Sequence, residues 1–178
     1  MTRKSATFLV LTIFLIMGIC TFAFAFGGGS NDPLPIGTQI DYIVVYKSQH
    51  KMDVYANGGV IKSYQIALGE NPIGAKHFEG DKKTPEGSYF IDKKNPQSRY
   101  HKNLSISYPN EADLAYAAQY GKRPGSEIKI HGITNGLGHL GAKHRMVDWT
   151  QGCIALTNEE IDELYNAVSI GTPIDIYP

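Results

Sequence analysis

The sequence predicts a mainly β fold, sandwich-like or barrel-like, with about eight short strands and two short helices. Segments rich in β-branched and aromatic residues recur along the chain, beginning with residues 41–46, and this composition favours strands. Asn57-Gly58-Gly59 is a strong hairpin signal between two such segments. Two later segments open with residues that cap helices, Asn110 and Thr157.

The first 25 residues are predicted to be a secretory signal peptide. Arg3 and Lys4 precede an uncharged run over residues 5–26 that contains the A-x-A pattern Ala23-Phe24-Ala25. The same run is long enough to remain as a membrane anchor instead. Residues 26–39 are predicted to be a Gly/Pro/Ser-rich linker, and residues 40–178 to form one domain with its own core.

The eight strands are placed in order by short apolar or alternating runs, each bounded by turn residues. The segments between them are read as an irregular loop over residues 70–87, a polar loop over 93–103 and a glycine-rich loop over 132–150. The strands are expected at 41–46, 52–55, 60–68, 88–92, 104–108, 128–130, 154–156 and 174–177.

The two helices are predicted from their ends. Asn110 can cap a helix over residues 111–120, which Gly121 would stop. Thr157 and Glu160 fit a capping box, which opens a second helix that runs to about residue 168.

Charge and cysteine content narrow the classes of function. Lys plus Arg number 17 and so do Asp plus Glu; the leader holds two of the basic residues, so the mature part has 15 against 17, a net charge of −2. No nucleic-acid partner is expected from that balance. Export to the periplasm or cell envelope would leave Cys153 without a disulfide partner, because Cys20 lies in the leader.

Residues 129–156 carry the candidate chemistry. His131 ends a predicted strand, and Cys153 stands between Gly152 and the next apolar run. A cysteine attacks as a thiolate and needs a base, and a strand end is a rigid platform for one. His131 is therefore predicted to activate Cys153, with His139 and His144 as the alternative bases.

Other residues of this stretch are predicted to shape the cleft. Backbone N–H groups around Gly152 and Cys153 could stabilise an oxyanion. Gly132 is also predicted to bind the oxyanion or the substrate. Arg145 could bind a substrate carboxylate or be a surface charge. His144 and Trp149 are placed with the substrate-binding residues: His144 is expected to line the cleft, and Trp149 to pack the loop, with stacking on substrate as the alternative. His131, His139, His144 and Cys153 match no compact zinc motif, so no metal is predicted.

The two motifs together resemble the L,D-transpeptidase catalytic domain of the YkuD/ErfK family. That family has His-Gly, here at His131-Gly132, followed by Ser/Thr-x-Gly-Cys, here at residues 150–153. Residues 44–69 and the Thr-Pro-Glu-Gly-Ser-Tyr run at 84–89 are similar to its early strands and its T-P-x-G-x-[YF] segment. The resemblance covers about residues 40–177.

This resemblance implies the YkuD fold, Cys153 as nucleophile, His131 as proton donor and acceptor, and no metal or organic cofactor. In that family the cysteine attacks the carbonyl of the third residue of a peptidoglycan tetrapeptide stem and expels the terminal D-Ala. The acyl group of the resulting thioester is then transferred to an amine on a second stem or on a wall-linked lipoprotein. The resemblance therefore also implies a role for this chain in cell wall biogenesis and cell shape. Ala155 replaces an Arg that many members carry, and the 22-residue His–Cys interval is long; both departures resemble the YafK-type branch and leave the acceptor open.

Three readings remain at this point. The first is an exported transpeptidase, favoured because the loop over residues 132–150 could bind an acceptor and exclude water. The second is a murein peptidase or amidase that forms the same thioester and hydrolyses it, so that water accepts the acyl group and the thiol is released. The third is a non-catalytic wall-binding module whose cysteine is structural.

Overall fold

The computed structural model describes residues 32–178. The predicted signal peptide or anchor and the first part of the linker lie outside the described residues. Within residues 32–178 no helix has the length and apolar character needed to cross a membrane.

Eight strands form one sheet, so the predicted mainly β fold is confirmed. Their order across the sheet is β3-β2-β1-β8-β4-β5-β6-β7, with β1–β8 and β6–β7 parallel and the other pairs antiparallel. The strands are β1 Tyr42–Tyr46, β2 Lys51–Ala56, β3 Gly59–Gln65, β4 Gly87–Ser98, β5 His101–Ile106, β6 Lys129–His131, β7 Ile154–Ala155 and β8 Pro173–Tyr177.

The sheet curls until its two ends meet. Just beyond β3, Ala67 pairs with Ala155 of β7, and each N–H donates to the other's carbonyl oxygen at 3.0 and 2.8 Å. Closing a sheet in this way removes exposed strand edges. The enclosed core consists largely of fully buried aliphatic side chains from the strands, among them Ile43, Val54, Ile91, Leu104, Ile130 and Ile154.

Both predicted α-helices are present, each with its capping box. In α1, Glu111–Gln119, the Asn110 side chain accepts from the Asp113 N–H at 3.0 Å. In α2, Asn158–Ala167, the Thr157 and Glu160 side chains satisfy each other's backbone N–H. The apolar face of α2 buries Ile161, Leu164 and Ala167 against the sheet.

The prediction of a polar loop over residues 93–103 was wrong. β4 continues to Ser98 and β5 begins at His101, so the two strands form a long ribbon with a short turn at residues 99–100. Polar side chains are tolerated because they find partners: the Lys94 Nζ donates to the Tyr165 and Val168 carbonyl oxygens, both at 2.6 Å, at the end of α2.

The predicted glycine-rich loop over residues 132–150 also has some regular structure. A 3-10 segment spans Gly138–Met146, with a break at Gly141, where φ is 48°. Another short 3-10 turn, Lys47–Gln49, joins β1 to β2.

Candidate active site

Adjacent parallel strands carry His131 and Cys153. His131 is the last residue of β6, and Cys153 immediately precedes β7. The register pairs Ile130 with Ile154 and His131 with Ala155. Residues two apart along a strand share a face, so Cys153 and His131 lie diagonally across the strand pair on the same side of the sheet. The fold therefore brings together the two residues that the sequence analysis singled out.

The imidazole of His131 is held in one tautomer. His131 is 2% exposed, and its Nδ1 lies 2.7 Å from the carbonyl oxygen of Gly132. A carbonyl can only accept, so Nδ1 carries the hydrogen and Nε2 keeps its lone pair. Burial lowers the pKa of His131 to about 4, so the ring is neutral at pH 7 and can accept a proton.

Two aromatic side chains enclose this ring. Tyr100 stacks on His131 with centroids 4.4 Å apart and planes 28° apart, and Trp149 meets it edge-on at 5.6 Å. The Trp149 Nε1–H donates to the Nδ1 of His144 at 3.2 Å. These contacts fix the orientation of the imidazole and keep water away from it. Tyr100 was missed in the sequence because it sits in the turn between two strands that were read as loop.

Cys153 is a free cysteine, intermediate in exposure as a residue, with its sulfur turned largely away from solvent. Burial of its sulfur raises the pKa of Cys153, while the Lys129 N–H and the charges of Lys129 and Lys76 act in the opposite direction. The sulfur is therefore a thiol in the resting protein and needs a base when it attacks.

A cavity of about 200 Å³ opens beside the thiol. Its walls come from the residues just before β7, from the irregular loop over residues 70–87 and from residues 125–128 just before β6. Long irregular loops of this kind are often functional. The lining residues are Lys76, Glu79, Gly80, Gly125, Ser126, Glu127, Ile128, Gln151 and Cys153.

The turn before Cys153 is shaped by Thr150 and Gly152. The Thr150 hydroxyl donates to the Cys153 carbonyl oxygen at 2.7 Å and accepts from the Gly152 N–H at 3.0 Å. Gly152 has φ +125°, and a Cβ there would stand 2.4 Å from the Lys83 carbonyl oxygen. Glycine is thus required by backbone conformation and by close packing.

This hydrogen bonding corrects the oxyanion assignment. The Gly152 N–H is occupied by Thr150, and the Gly132 N–H donates to the carbonyl oxygens of Tyr100 and Lys102 at 3.1 and 3.2 Å. Neither amide is free for a substrate oxygen in this conformation. Gly132 is instead held close to α2, since a Cβ there would lie 2.8 Å from the Asn158 side chain.

Arg145 also has a different role from the predicted ones. Its guanidinium pairs with the carboxylate of Glu160 in the first turn of α2, and both side chains are largely buried. It is therefore neither a free surface charge nor an open carboxylate site. The ion pair holds the 3-10 segment Gly138–Met146 against α2, and this contact accounts for the arginine at position 145.

The two alternative bases occupy different environments. His139 is exposed. His144 is buried at 6% exposure, and burial lowers its pKa to about 4. His144 contacts Trp149, which in turn contacts His131. Over residues 32–178 no group of three His, Cys, Asp or Glu side chains is gathered where it could hold a metal ion.

Residues 40–176 match the model of the YkuD family, described as the L,D-transpeptidase catalytic domain. The chain belongs to the L,D-transpeptidase YkuD family. The predicted family and fold are thereby confirmed, and the matched range agrees with the span of the sequence resemblance. The family acts on peptidoglycan.

The chain is similar to "Putative L,D-transpeptidase YafK" of Escherichia coli K12, with 29% identity covering 99% of this chain and 71% of that protein. The crystal structure of the helical cell shape determining protein Pgp2 (K307A mutant) of Campylobacter jejuni aligns with 27% identity and a TM-score of 0.59, covering 84% of this chain and 51% of that one. Bd1075 of Bdellovibrio bacteriovorus aligns with 28% identity and a TM-score of 0.55, covering 82% and 54%. The chain thus spans about half the length of these solved structures.

Proposed function

We propose that the chain is an exported, cysteine-dependent L,D-transpeptidase that acts on the stem peptides of peptidoglycan in the periplasm or cell envelope. One observation carries the proposal: β6 and β7 set His131 and Cys153 on one face, with the Nδ1 of His131 committed to the Gly132 carbonyl. That arrangement leaves a basic nitrogen for a neighbouring thiol. A structural cysteine has no need of such an oriented imidazole.

In the first half-reaction, Nε2 of His131 takes the proton of Cys153 as Sγ attacks the carbonyl carbon of the third stem residue. The tetrahedral oxyanion accepts a hydrogen bond from the Cys153 N–H. The peptide bond to the terminal residue then breaks, and its nitrogen leaves as an amine with the proton from His131. The products are a thioester on Cys153 and neutral His131.

In the second half-reaction, an amine on a second stem or on a wall-linked lipoprotein attacks the thioester carbonyl. His131 accepts the amine proton, the new peptide bond forms, and the proton returns to the leaving sulfur. Atoms and charge balance without a metal or an organic cofactor.

Hydrolysis is the second candidate, because Arg145 of the loop over residues 132–150 is paired with Glu160 and is not open to the carboxylate of an acceptor stem. Water can attack the same thioester with the same base. A disaccharide-tetrapeptide donor with and without excess D-amino acid separates the two: amine-dependent exchange identifies a transferase, whereas release of tripeptide that is unaffected by the amine identifies a hydrolase.

Substitution of the catalytic pair tests the proposal itself. Cys153→Ser and His131→Ala should each lower turnover of tetrapeptide-containing sacculi by at least about a thousandfold, because a hydroxyl is a weak nucleophile and the thiol loses its base. His139→Ala is the matched control and should retain turnover, because His139 is exposed. A wild-type protein that shows no turnover, and whose Cys153 is not labelled by iodoacetamide, would be a non-catalytic wall-binding module instead.

Export is tested separately. The proposal places the start of the mature protein near Phe26, outside the cytoplasmic membrane. Mass spectrometry of the fractionated protein should find that N-terminus. A membrane fraction that retains Met1 would show that residues 1–25 stay as an anchor.

A further inference from the structure

Four aromatic side chains form a cluster on the surface near the Cys153 cavity. His77 and Phe78 come from the loop between β3 and β4, Tyr116 lies in α1, and Tyr120 is the C-cap residue of α1. His77 stacks on Tyr116 at a centroid distance of 4.1 Å, and Phe78 meets Tyr120 edge-on at 5.6 Å. Tyr116 is 36% exposed and Tyr120 57%. These four residues are called the aromatic cluster below.

The core does not explain why α1 carries these tyrosines. Ala117 is the one residue of α1 that is buried. The helix is attached at its N-terminal end by its capping box, where the Tyr89 hydroxyl also donates to Asp113 at 3.2 Å. The two tyrosines therefore add little to the hydrophobic core. Exposed apolar patches of this kind mark interaction sites.

The aromatic cluster is continuous with the wall of the cavity. His77 and Phe78 stand between Lys76 and Glu79, and both of these line the cavity beside Cys153. The loop is fixed there, because the Glu79 N–H donates to the Arg123 carbonyl oxygen at 2.8 Å and the Glu79 carboxylate pairs with the Arg123 guanidinium. A ligand that leaves the cavity past Glu79 meets the cluster next.

We propose that the aromatic cluster binds a sugar ring of the glycan strand whose stem peptide reaches Cys153. This inference rests on the proposed function. With the third stem residue at Cys153, two further residues lead to the sugar, and three extended residues span about 10 Å. A stem of that length can reach from Cys153 to the aromatic cluster, because His77 and Phe78 are the sequence neighbours of Lys76 and Glu79 in the cavity wall.

The chemistry of the aromatic cluster fits a sugar. A pyranose ring presents C–H groups on its faces, and these pack against the electron-rich faces of aromatic rings. Its hydroxyls can pair with the tyrosine hydroxyls and with Lys122, whose Nζ lies 4.5 Å from the Phe78 ring centroid. Arg123 is paired with Glu79, so the patch lacks the cluster of free cations that an anionic membrane surface would attract.

The test measures binding of the full chain to glycan strands from which the stem peptides have been removed. Tyr116→Ala combined with Tyr120→Ala should weaken this binding about tenfold, the effect of losing two stacked rings. Leu114→Ala is the matched control, since Leu114 is 50% exposed on the same helix but outside the cluster. If circular dichroism shows that the double variant is unfolded, Tyr120→Ala alone should still weaken binding about threefold.

Kinetics give a second readout. The ratio of kcat/KM for a disaccharide-tetrapeptide to kcat/KM for the free tetrapeptide should fall about tenfold in the double variant, because only the first substrate carries the sugar. An unchanged ratio together with unchanged glycan binding overturns the inference. So does a cluster-dependent affinity for anionic phospholipid vesicles without any for glycan.

The outcomes also separate this inference from the proposed function. Glycan binding that depends on Tyr116 and Tyr120, in a protein that turns over no stem peptide, refutes the catalytic proposal and leaves the sugar site standing. Turnover that depends on Cys153, in a wild-type protein that binds no peptide-free glycan, refutes the sugar site alone.

Discussion

Tyr100 covers one face of the His131 imidazole and helps to bury it. Its ring stacks on the imidazole, and the low pKa of His131 is caused mainly by burial. We expect Tyr100→Ala to admit water and raise the pKa of His131 from about 4 towards 6.5. Because His131 must be neutral to act as the proposed base, the acid limb of the kcat/KM profile should move to higher pH.

The matched control for this change is Tyr100→Phe, which keeps the stacked ring. Its acid limb should coincide with that of the wild type. If Tyr100→Ala loses activity by the same factor at every pH, Tyr100 affects the site without tuning His131. The measurement is a kcat/KM profile from pH 4 to 8 for the three proteins.

Gly152 provides a prediction about stability. Any side chain there meets both an unfavourable φ of +125° and the Lys83 carbonyl oxygen. Gly152→Ala should therefore lower the free energy of unfolding by about 3 kcal/mol or more. Gly136→Ala is the control, because φ is +88° but open space surrounds that Cα; it should cost about 1 kcal/mol. Urea unfolding measures both, and equal losses would show that the Lys83 contact is unimportant.

Among the secondary-structure elements, α2 organises the segment that carries Trp149 and His144. Glu160 closes the capping box of α2 and also pairs with Arg145. Arg145→Ala should lower the free energy of unfolding by about 1–2 kcal/mol, since it removes a partly buried charged pair. In a double-mutant cycle with Glu160→Gln, the two losses should not add.

A substrate-binding arginine would behave differently from this anchor. Arg145→Ala would then raise KM for the stem peptide and leave the melting temperature unchanged, with additive effects in the cycle. Circular dichroism melts and initial-rate kinetics on the same four proteins decide between the two.

The elements also show what the sequence could and could not predict. Capping boxes are local, so both helices were predicted with their N-terminal ends. The continuation of β4 and β5 was not, because the polar residues of that ribbon are satisfied by distant partners such as the end of α2, which accepts from Lys94. The same error hid Tyr100. His131 and Cys153 were predicted because each follows or precedes a local strand signal, whereas the pairing of Arg145 depends on tertiary contacts.

On the scale of the whole molecule, closure of the sheet makes distant segments depend on one another. The contact between Ala67 and Ala155 joins the end of β3 to the strand that follows Cys153. β7, two residues long, is thus held on one side by β6 and on the other by this bridge. The position of Cys153, the proposed nucleophile, is therefore determined by the folded barrel as a whole, and loss of global stability should remove the proposed activity with it.

The buried histidines make that global stability depend on pH. His131 and His144 have pKa values lowered to about 4 by burial, while both return to about 6.5 in the unfolded chain. Between pH 6.5 and 4 the unfolded chain binds more protons, so folding stability is complete above pH 6.5 and is lost as the pH falls through this window. The loss should be roughly 3 kcal/mol for each histidine by the lower end.

His144→Gln isolates one of the two contributions. The glutamine oxygen can still accept from the Trp149 Nε1–H, but the side chain does not titrate. Urea unfolding at pH 7, 6.5, 6, 5.5 and 5 should therefore show a shallower fall in the free energy of unfolding for His144→Gln than for the wild type. Most carboxylates titrate below this range, so they contribute little to the difference. Identical slopes in the two proteins would mean that His144 is already protonated in the folded state, or that its environment is open to water, and the argument from burial would fail.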